Sequence, residues 1–521
     1  VILKPASNTV LVAWELCKCF WAAGVPREVL QFMPCSGATG GARLVASELA
    51  DVVILTGGTS TALRMLEARP RMMLLAETGG KNATIVTAMS DREQAAAHVL
   101  QSAFGHGGQK CSATSLLVLE SEIYNDERFK KTLVDAAESI RVGPAGELDS
   151  RMGPLVQPPD SDLERAQKEL ERGESWALMP RQLGDNACLH SPGIKWGVSR
   201  GSYTHMTEFF GPVLAVLEAK DLDEAIDIVN ETGYGLTSGL ESLDEREQEQ
   251  WKNGIRAGNL YINRVTTGAI VHRQPFGGMG KSAFGPGIKA GGPNYVAQLM
   301  DFVDVEVQSV PNDTLQTPEL EALRQSLLAR HPEGDHPQEL VQLLTAMSSY
   351  ERAYAVEFGL EHDDFKLLGQ DNIRRYLPVP DLRIRIHPGD NAFEIFACVC
   401  AARIVGCRTT VSVPSDHTPA MVELLDSLTP TWGASVEFVE ESDDELAAII
   451  AASGTDRVRY AGPNRAPQKI LKAVGDSGIF IAQAPVLAEG RLELMWYVME
   501  QSISHNYHLG ARADEKRSKV L

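Results

Sequence analysis

Several things are scarce in this sequence. It holds only 8 cysteines in 521 residues, and none form a C-x-x-C pair. A zinc ribbon, a thioredoxin-type motif and a disulfide scaffold are therefore not expected, and no metal site is predicted. The apolar settings of Cys17 and Cys398 read as core thiols, which implies a reducing, cytoplasmic compartment. Basic residues are in deficit: 49 Lys+Arg face 69 Asp+Glu, a formal net charge of −20. Such a surface repels phosphate backbones and anionic bilayers, so no nucleic-acid or membrane partner is expected. Long hydrophobic runs are missing as well. The most apolar stretch, residues 396–407, is too short to span a bilayer and contains Arg403. The first segment carries Lys4, Glu15 and Lys18, which does not fit a signal peptide. An initial Met is also lacking, and the chain opens directly on Val1-Ile2-Leu3.

What is present is an ordinary globular composition, with 44% hydrophobic and 23% charged residues. Length alone predicts about three or four domains. In the first eighty residues short apolar runs near 1–3, 29–33, 52–56 and 72–77 alternate with helical patterns near 9–23, 41–49 and 60–68. That alternation predicts a parallel α/β sheet, whose ligands bind at the carboxyl ends of its strands. A second α/β block follows to about residue 280, and residues 277–293 form a glycine-rich loop. Residues 306–345 read as a Pro-punctuated linker carrying one helix over 318–329. A third block from about 346 repeats βα units in an order that echoes the opening one. In that echo residues 409–414 correspond to 1–5, 435–439 to 29–33 and 457–462 to 53–58.

Three motifs carry candidate chemistry. Gly105-His106-Gly107-Gly108-Gln109-Lys110-Cys111-Ser112-Ala113 presents one cysteine where backbone amides approach it, as a catalytic thiolate requires. Taken alone, a cysteine beside glycine is more often structural. Glu77-Thr78-Gly79-Gly80-Lys81-Asn82 places a carboxylate at the end of an apolar strand, where it could act as a general base or be a simple surface residue. Thr56-Gly57-Gly58-Thr59-Ser60 ends a strand and opens a helix. It could admit a phosphate or be a capped turn, and it is not the G-x-G-x-x-G fingerprint.

In order along residues 1 to about 300, Leu3-Lys4-Pro5-Ala6, Leu55-Thr56-Gly57-Gly58, Glu77-Thr78-Gly79-Gly80-Lys81-Asn82, Gly108-Gln109-Lys110-Cys111-Ser112-Ala113, Glu208-Phe209-Phe210-Gly211-Pro212-Val213 and Pro275-Phe276-Gly277-Gly278 resemble the aldehyde dehydrogenase superfamily. The resemblance implies that fold: a Rossmann-like cofactor domain plus an α/β catalytic domain. It implies Cys111 as the nucleophile and Glu77 as the base that activates the hydrolytic water. It further implies NAD as cofactor, held near Lys4, Pro5, Ser7, Thr56, Gly57, Gly58, Glu208 and Phe210. Ser7 leaves NADP open, because a carboxylate there would repel a 2′-phosphate.

A narrower likeness lies in Gly258-Asn259-Leu260-Tyr261-Ile262-Asn263-Arg264, Thr267-Gly268-Ala269-Ile270-Val271 and Ala290-Gly291-Gly292-Pro293-Asn294-Tyr295. These resemble L-glutamate γ-semialdehyde (1-pyrroline-5-carboxylate) dehydrogenases of proline catabolism. The likeness implies Ser112, Gly268 and Ala269 as contacts of the amino-acid end of a small-molecule substrate, with Phe276 also substrate-binding. Gln370-Asp371-Asn372-Ile373-Arg374-Arg375-Tyr376 and Glu500-Gln501-Ser502-Ile503-Ser504-His505-Asn506-Tyr507-His508 resemble the C-terminal part of bifunctional proline utilization A proteins. That implies a degenerate, non-catalytic Rossmann-like domain and an upstream proline dehydrogenase, which would bring FAD. The family's N-terminal section, with its oxyanion asparagine, is absent, so an N-terminally truncated fold is expected. The domain expectation is a partial NAD-binding domain over 1–78 and a catalytic domain over 79–280. An oligomerisation-flap remnant and linker then occupy 281–345, and the non-catalytic domain 346–521. A homo-oligomer is expected, with the flap near residues 298–306. The alternatives are a dehydrogenase for another semialdehyde and an inactive scaffold.

Overall fold

In the computed structural model, which describes residues 1–305, 314–332, 336–415, 419–433 and 435–507, the opening strands do not join into one sheet. Ile2–Leu3 pairs in parallel with Gln31–Phe32. Val52–Gly57 pairs in parallel with Met73–Thr78, in a separate sheet completed by antiparallel Ala283–Phe284. The expected four-stranded sheet is thus corrected to two pairs. The C-terminal block supplies the reason. There Arg408–Pro414 pairs with Val436–Glu441, and Arg457–Arg459 pairs with Phe480–Ala482. A central strand, Asp381–Arg385, bonds to both inner neighbours and joins the halves into one five-stranded parallel sheet. Among the described residues no counterpart of that central strand lies between the two opening pairs. Each therefore ends on an edge without a ladder partner.

The largest sheet has nine strands. In spatial order they are Gln370–Pro378, Val498–Asn506, Asn259–Ile262, Thr237–Glu241, Ala83–Val86, Leu116–Glu120, Val213–Ala219, Gly193–Trp196 and Ser175–Leu178. Its middle strands are buried on both faces, as parallel strands under helices must be. One face packs Leu116, Leu217, Leu240 and Trp251, and the other packs Phe104, Leu117, Leu133 and Val216.

Two strands of this sheet come from the C-terminal block. Val498–Asn506 runs parallel to Asn259–Ile262, and Gln370–Pro378 runs antiparallel beside it. A boundary at 346 therefore does not separate the blocks in space. Ile503 carries the contact into the catalytic core. The helices Thr59–Ala68 and Gln468–Ser477 make a second seam, sharing a cluster with Leu66, Leu74, Ile470 and Val474.

The helix expected over 318–329 is present as Pro318–Leu328, but the linker expectation around it is corrected, because the segment is packed into a core. Pro318–Leu328 and Gln338–Ala353 are helices whose Leu320, Leu323, Leu344 and Met347 lie in the C-terminal core. Pro318 sits in the first turn, where its missing N–H costs nothing, so it starts a helix rather than breaking one. At the expected flap, Tyr295–Leu299 is a short 3-10 helix and residues 300–305 form no strand. Glu306 and residues 307–313 lie outside the described residues, as do His508 and the segment after it.

Candidate active site

Cys111 follows a tight turn in which His106, Gly107 and Gly108 all take positive φ. Gly108 has to be glycine: a Cβ there would lie 2.3 Å from the Gly211 carbonyl oxygen. The cysteine loop is then clamped by Asn82, at the end of the Glu77 motif. Asn82 Nδ2 donates to the carbonyls of Cys111 at 2.7 Å and Ala113 at 3.0 Å, while its Oδ1 accepts from Thr237 N–H at 3.0 Å. The Ser112 carbonyl accepts from Thr237 Oγ1 at 3.3 Å and Thr266 Oγ1 at 3.0 Å. Asn82, Ser112, Thr237 and Thr266 are buried, so their hydrogen bonds hold the Cys111 backbone in place.

Glu77 ends the strand Met73–Thr78, beside Thr56 in register. Its Oε2 accepts from Gly278 N–H at 2.8 Å. Gly277 leaves room for it, since a Cβ there would lie 2.3 Å from Glu77 Oε1. Burial pushes the carboxyl up to about 7, opposed by the field of Lys289 and by the Gly278 N–H. Burial also raises the Cys111 thiol, and the charge of Glu77 raises it further, while Lys110 lowers it. A buried carboxyl and a thiol that both hold their protons more tightly than usual are groups of the kind that functional sites gather.

The other expected residues divide into those brought to this centre and those that are not. Ser112 is buried under the clamp, and Thr266 ties it to the following loop, where Gly268 takes φ +87 and Ala269 is half-buried. That loop is braced from behind. Ile270 N–H donates to Gln274 Oε1 at 3.0 Å, and Gln274 Nε2 donates at 2.8 Å to Asn372 and Ser504 of the two C-terminal strands. Phe276 is partly buried and bridges to Ala290. Glu208 Oε1 accepts from Gly80 N–H at 2.9 Å, and burial raises its carboxyl. Phe210 is 45% exposed with φ 48.

Lys4 turns back to donate to the Pro5 carbonyl at 2.7 Å, and Ser7 is exposed. Pro5 is buried. Thr56, Gly57 and Gly58 are exposed at the start of the helix Thr59–Ala68, and a Cβ on Gly58 would meet nothing within 4 Å. An anionic group can reach those amides without moving any side chain. Sequence reasoning assigned no role to Asn82, Thr237, Thr266, Gly278 or Lys289. Asn82 and Gly278 stood inside quoted motifs, but Thr237, Thr266 and Lys289 carry no local signal.

The crevice of the C-terminal sheet is filled by its own side chains. Where the central strand meets the helix Ala392–Val405, Arg465 pairs with Asp390 at 2.6 Å and Glu394 at 2.7 Å. The helix N-terminus is taken by the Asn391–Glu394 capping box and by Glu339, which accepts from Ala392 N–H at 3.2 Å. Those are the positions a dinucleotide's phosphates use in an open sheet of this order. Among the described residues no group of three or more His, Cys, Asp or Glu could hold a metal, and no helix is long and apolar enough to cross a membrane.

Comparison with known proteins bears on this centre directly. The aldehyde dehydrogenase family pattern matches residues 1–305. The 1-pyrroline-5-carboxylate dehydrogenase 1 of Halalkalibacterium halodurans is 37% identical over 311 residues, which are 58% of this chain and 59% of that protein. The chain thus spans about three-fifths of the curated relatives it matches. Among solved structures, proline utilization A from Corynebacterium freiburgense superposes with a TM-score of 0.81 at 36% identity, covering 97% of this chain and 47% of that one. A Thermus 1-pyrroline-5-carboxylate dehydrogenase with bound NAD superposes at 0.53 and 34% identity, covering 57% of this chain and 58% of that one. The C-terminal block is therefore part of the first likeness and lies largely outside the second.

Proposed function

The chain belongs to the aldehyde dehydrogenase family, and from that premise we propose that it oxidises L-glutamate γ-semialdehyde to L-glutamate with NAD. The observation that carries the reading is the fixing of two groups, Cys111 clamped by Asn82 and Glu77 held on Gly278. The named relatives supply the substrate class.

Cys111 Sγ attacks the aldehyde carbon as the thiolate, its proton having passed to solvent, so that Glu77 stays unprotonated for the hydrolytic half. The Cys111 backbone N–H stabilises the oxyanion of the thiohemiacetal. NAD, when bound, would supply the hydride acceptor for this carbon. The exposed Thr56-Gly57-Gly58 amides, Pro5, Ser7, Lys4, Glu208 and Phe210 are the residues that would hold it. On the resulting thioester Glu77 takes a proton from water, the hydroxide adds to the carbonyl, and the Cys111 thiol leaves with a proton as the acid departs. The substrate's carboxylate is received by the backbone N–H groups of Gly268 and Ala269 and by the Ser112 hydroxyl.

The reading extends to a reducing, cytoplasmic setting, in line with eight unpaired cysteines. It also extends to a homo-oligomer and to a proline dehydrogenase partner with FAD, as in the proline utilization A proteins. The test is NADH formation from the semialdehyde, by the 521-residue chain and by the same chain preceded by a relative's N-terminal section. Cys111→Ala abolishes it. Glu77→Gln gives one burst of NADH without turnover. Unchanged steady-state turnover in Glu77→Gln would overturn its role, and no activity in the longer chain would overturn the function.

A further inference from the structure

Behind Glu77 runs a line of buried charged groups that begins in the C-terminal block. Lys289, 1% exposed, sends its Nζ to the Gly278 carbonyl. The N–H of that same Gly278 donates to Glu77 Oε2 at 2.8 Å. One residue therefore ties the lysine and the base together. The two side chains also meet across Gly277, whose Cβ would lie 2.3 Å from Glu77 Oε1 and 2.6 Å from Lys289 Cδ. On its other side the Lys289 N–H donates to Glu500 Oε2 at 2.8 Å. Glu500 is 0% exposed, and its Oε1 has no hydrogen-bond partner. It rides on the strand Val498–Asn506, anchored by its own N–H to the Gly287 carbonyl at 3.0 Å.

We propose that Lys289 is a positioning residue for Glu77, and that Glu500 of the C-terminal block holds Lys289 in place and charged. This rests on the reading of Glu77 as the deacylating base. Burial loosens the proton of the Lys289 ammonium, and the charges of Glu77 and Glu500 on either side oppose that loss. With Lys289 charged, Glu77 can ionise at a workable pH despite its own burial. The other charged and titratable groups facing this line are few. Cys111 and Tyr295 lie on the Glu77 side. Arg457 reaches the Pro286 carbonyl at 2.6 Å. Arg374, Tyr376 and Glu357 surround Glu500, with Arg374 paired to Glu357 at 2.8 Å. The C-terminal block thereby contributes to the base's environment without touching substrate.

The experiment needs no cofactor. The rate of Cys111 alkylation by iodoacetamide is followed across about pH 5 to 10, and the ratio of wild-type to Glu77→Gln rates isolates the ionisation of Glu77. In Lys289→Met the Glu77 midpoint should rise by about one unit or more, a tenfold change in its ionisation constant. Glu500→Gln is close to isosteric and keeps an acceptor for the Lys289 N–H. It should shift the midpoint in the parent chain and leave it unmoved in Lys289→Met, because its influence runs through the lysine. A midpoint unmoved by Glu500→Gln in the parent chain, or moved equally in both backgrounds, would overturn the proposal. A Glu77→Gln profile identical to wild type would instead overturn the reading of Glu77 itself.

Discussion

The burial of Glu77 has a thermodynamic consequence that can be read without substrate. Its carboxyl rises from 4.5 to about 7 in the fold, so the native state binds the proton more tightly than the unfolded chain. Stability from this group is complete below about pH 4.5 and is lost as pH rises through about 7. At about 1.4 kcal/mol per unit the loss amounts to roughly 3 kcal/mol. Gln fills almost the same volume, accepts the same Gly278 N–H and never ionises, and Lys289 still keeps Glu500. Glu77→Gln should therefore match wild type near about pH 4.5 and exceed it by up to roughly 3 kcal/mol above about pH 7.5. At about 2 cal/mol/K per residue, a chain this long gains only about 3 °C in melting temperature from that difference. Calorimetric melts of both proteins at matched ionic strength, in steps of pH, measure it. A melting difference that is flat with pH, or that turns against the variant in alkaline buffer, would refute the argument. The variant would be the more stable protein and the dead enzyme, as expected where a functional group is held in a costly state.

Other substitutions probe the rest of the centre. Gly277→Ala sets a Cβ 2.3 Å from Glu77 Oε1. It should cut turnover at least as far as Glu77→Gln while Cys111 still reacts with iodoacetamide, checked by mass spectrometry. Asn82→Ala removes two bonds to the cysteine loop and strands the Thr237 N–H. It should cost about 2–4 kcal/mol in denaturant titration and slow acylation. Ile503→Ala opens a cavity where the C-terminal strand meets the catalytic core, with an expected loss of about 2–5 kcal/mol by the same titration.

Much of the centre was legible because it is local. Glu77 through Asn82 and Gly105 through Ala113 are continuous segments, and close backbone approach demands glycine at particular positions such as Gly108. Helices with clear periodicity, such as the one expected over 60–68 and found as Thr59–Ala68, were legible for the same reason. The errors lay where partners are remote. Short buried strands such as Ala83–Val86 and Gly193–Trp196 carry no periodic signal once both faces are covered. The helices of the expected linker owe their burial to the C-terminal core rather than to anything in their own stretch of chain.

Residue types at fixed short spacings are enough to give the α/β class, the family and a candidate nucleophile and base. How the blocks combine is a property of the folded chain alone. Strand pairing is a matter of which edges meet, so it took the fold to carry Val498–Asn506 and Gln370–Pro378 into the catalytic sheet. It likewise took the fold to leave the opening strands as two separate pairs. The same long-range pairing sets Glu500 behind Lys289 and Lys289 behind Glu77. Charge in a dry interior is governed by its neighbours in space, and those neighbours are hundreds of residues away along the chain.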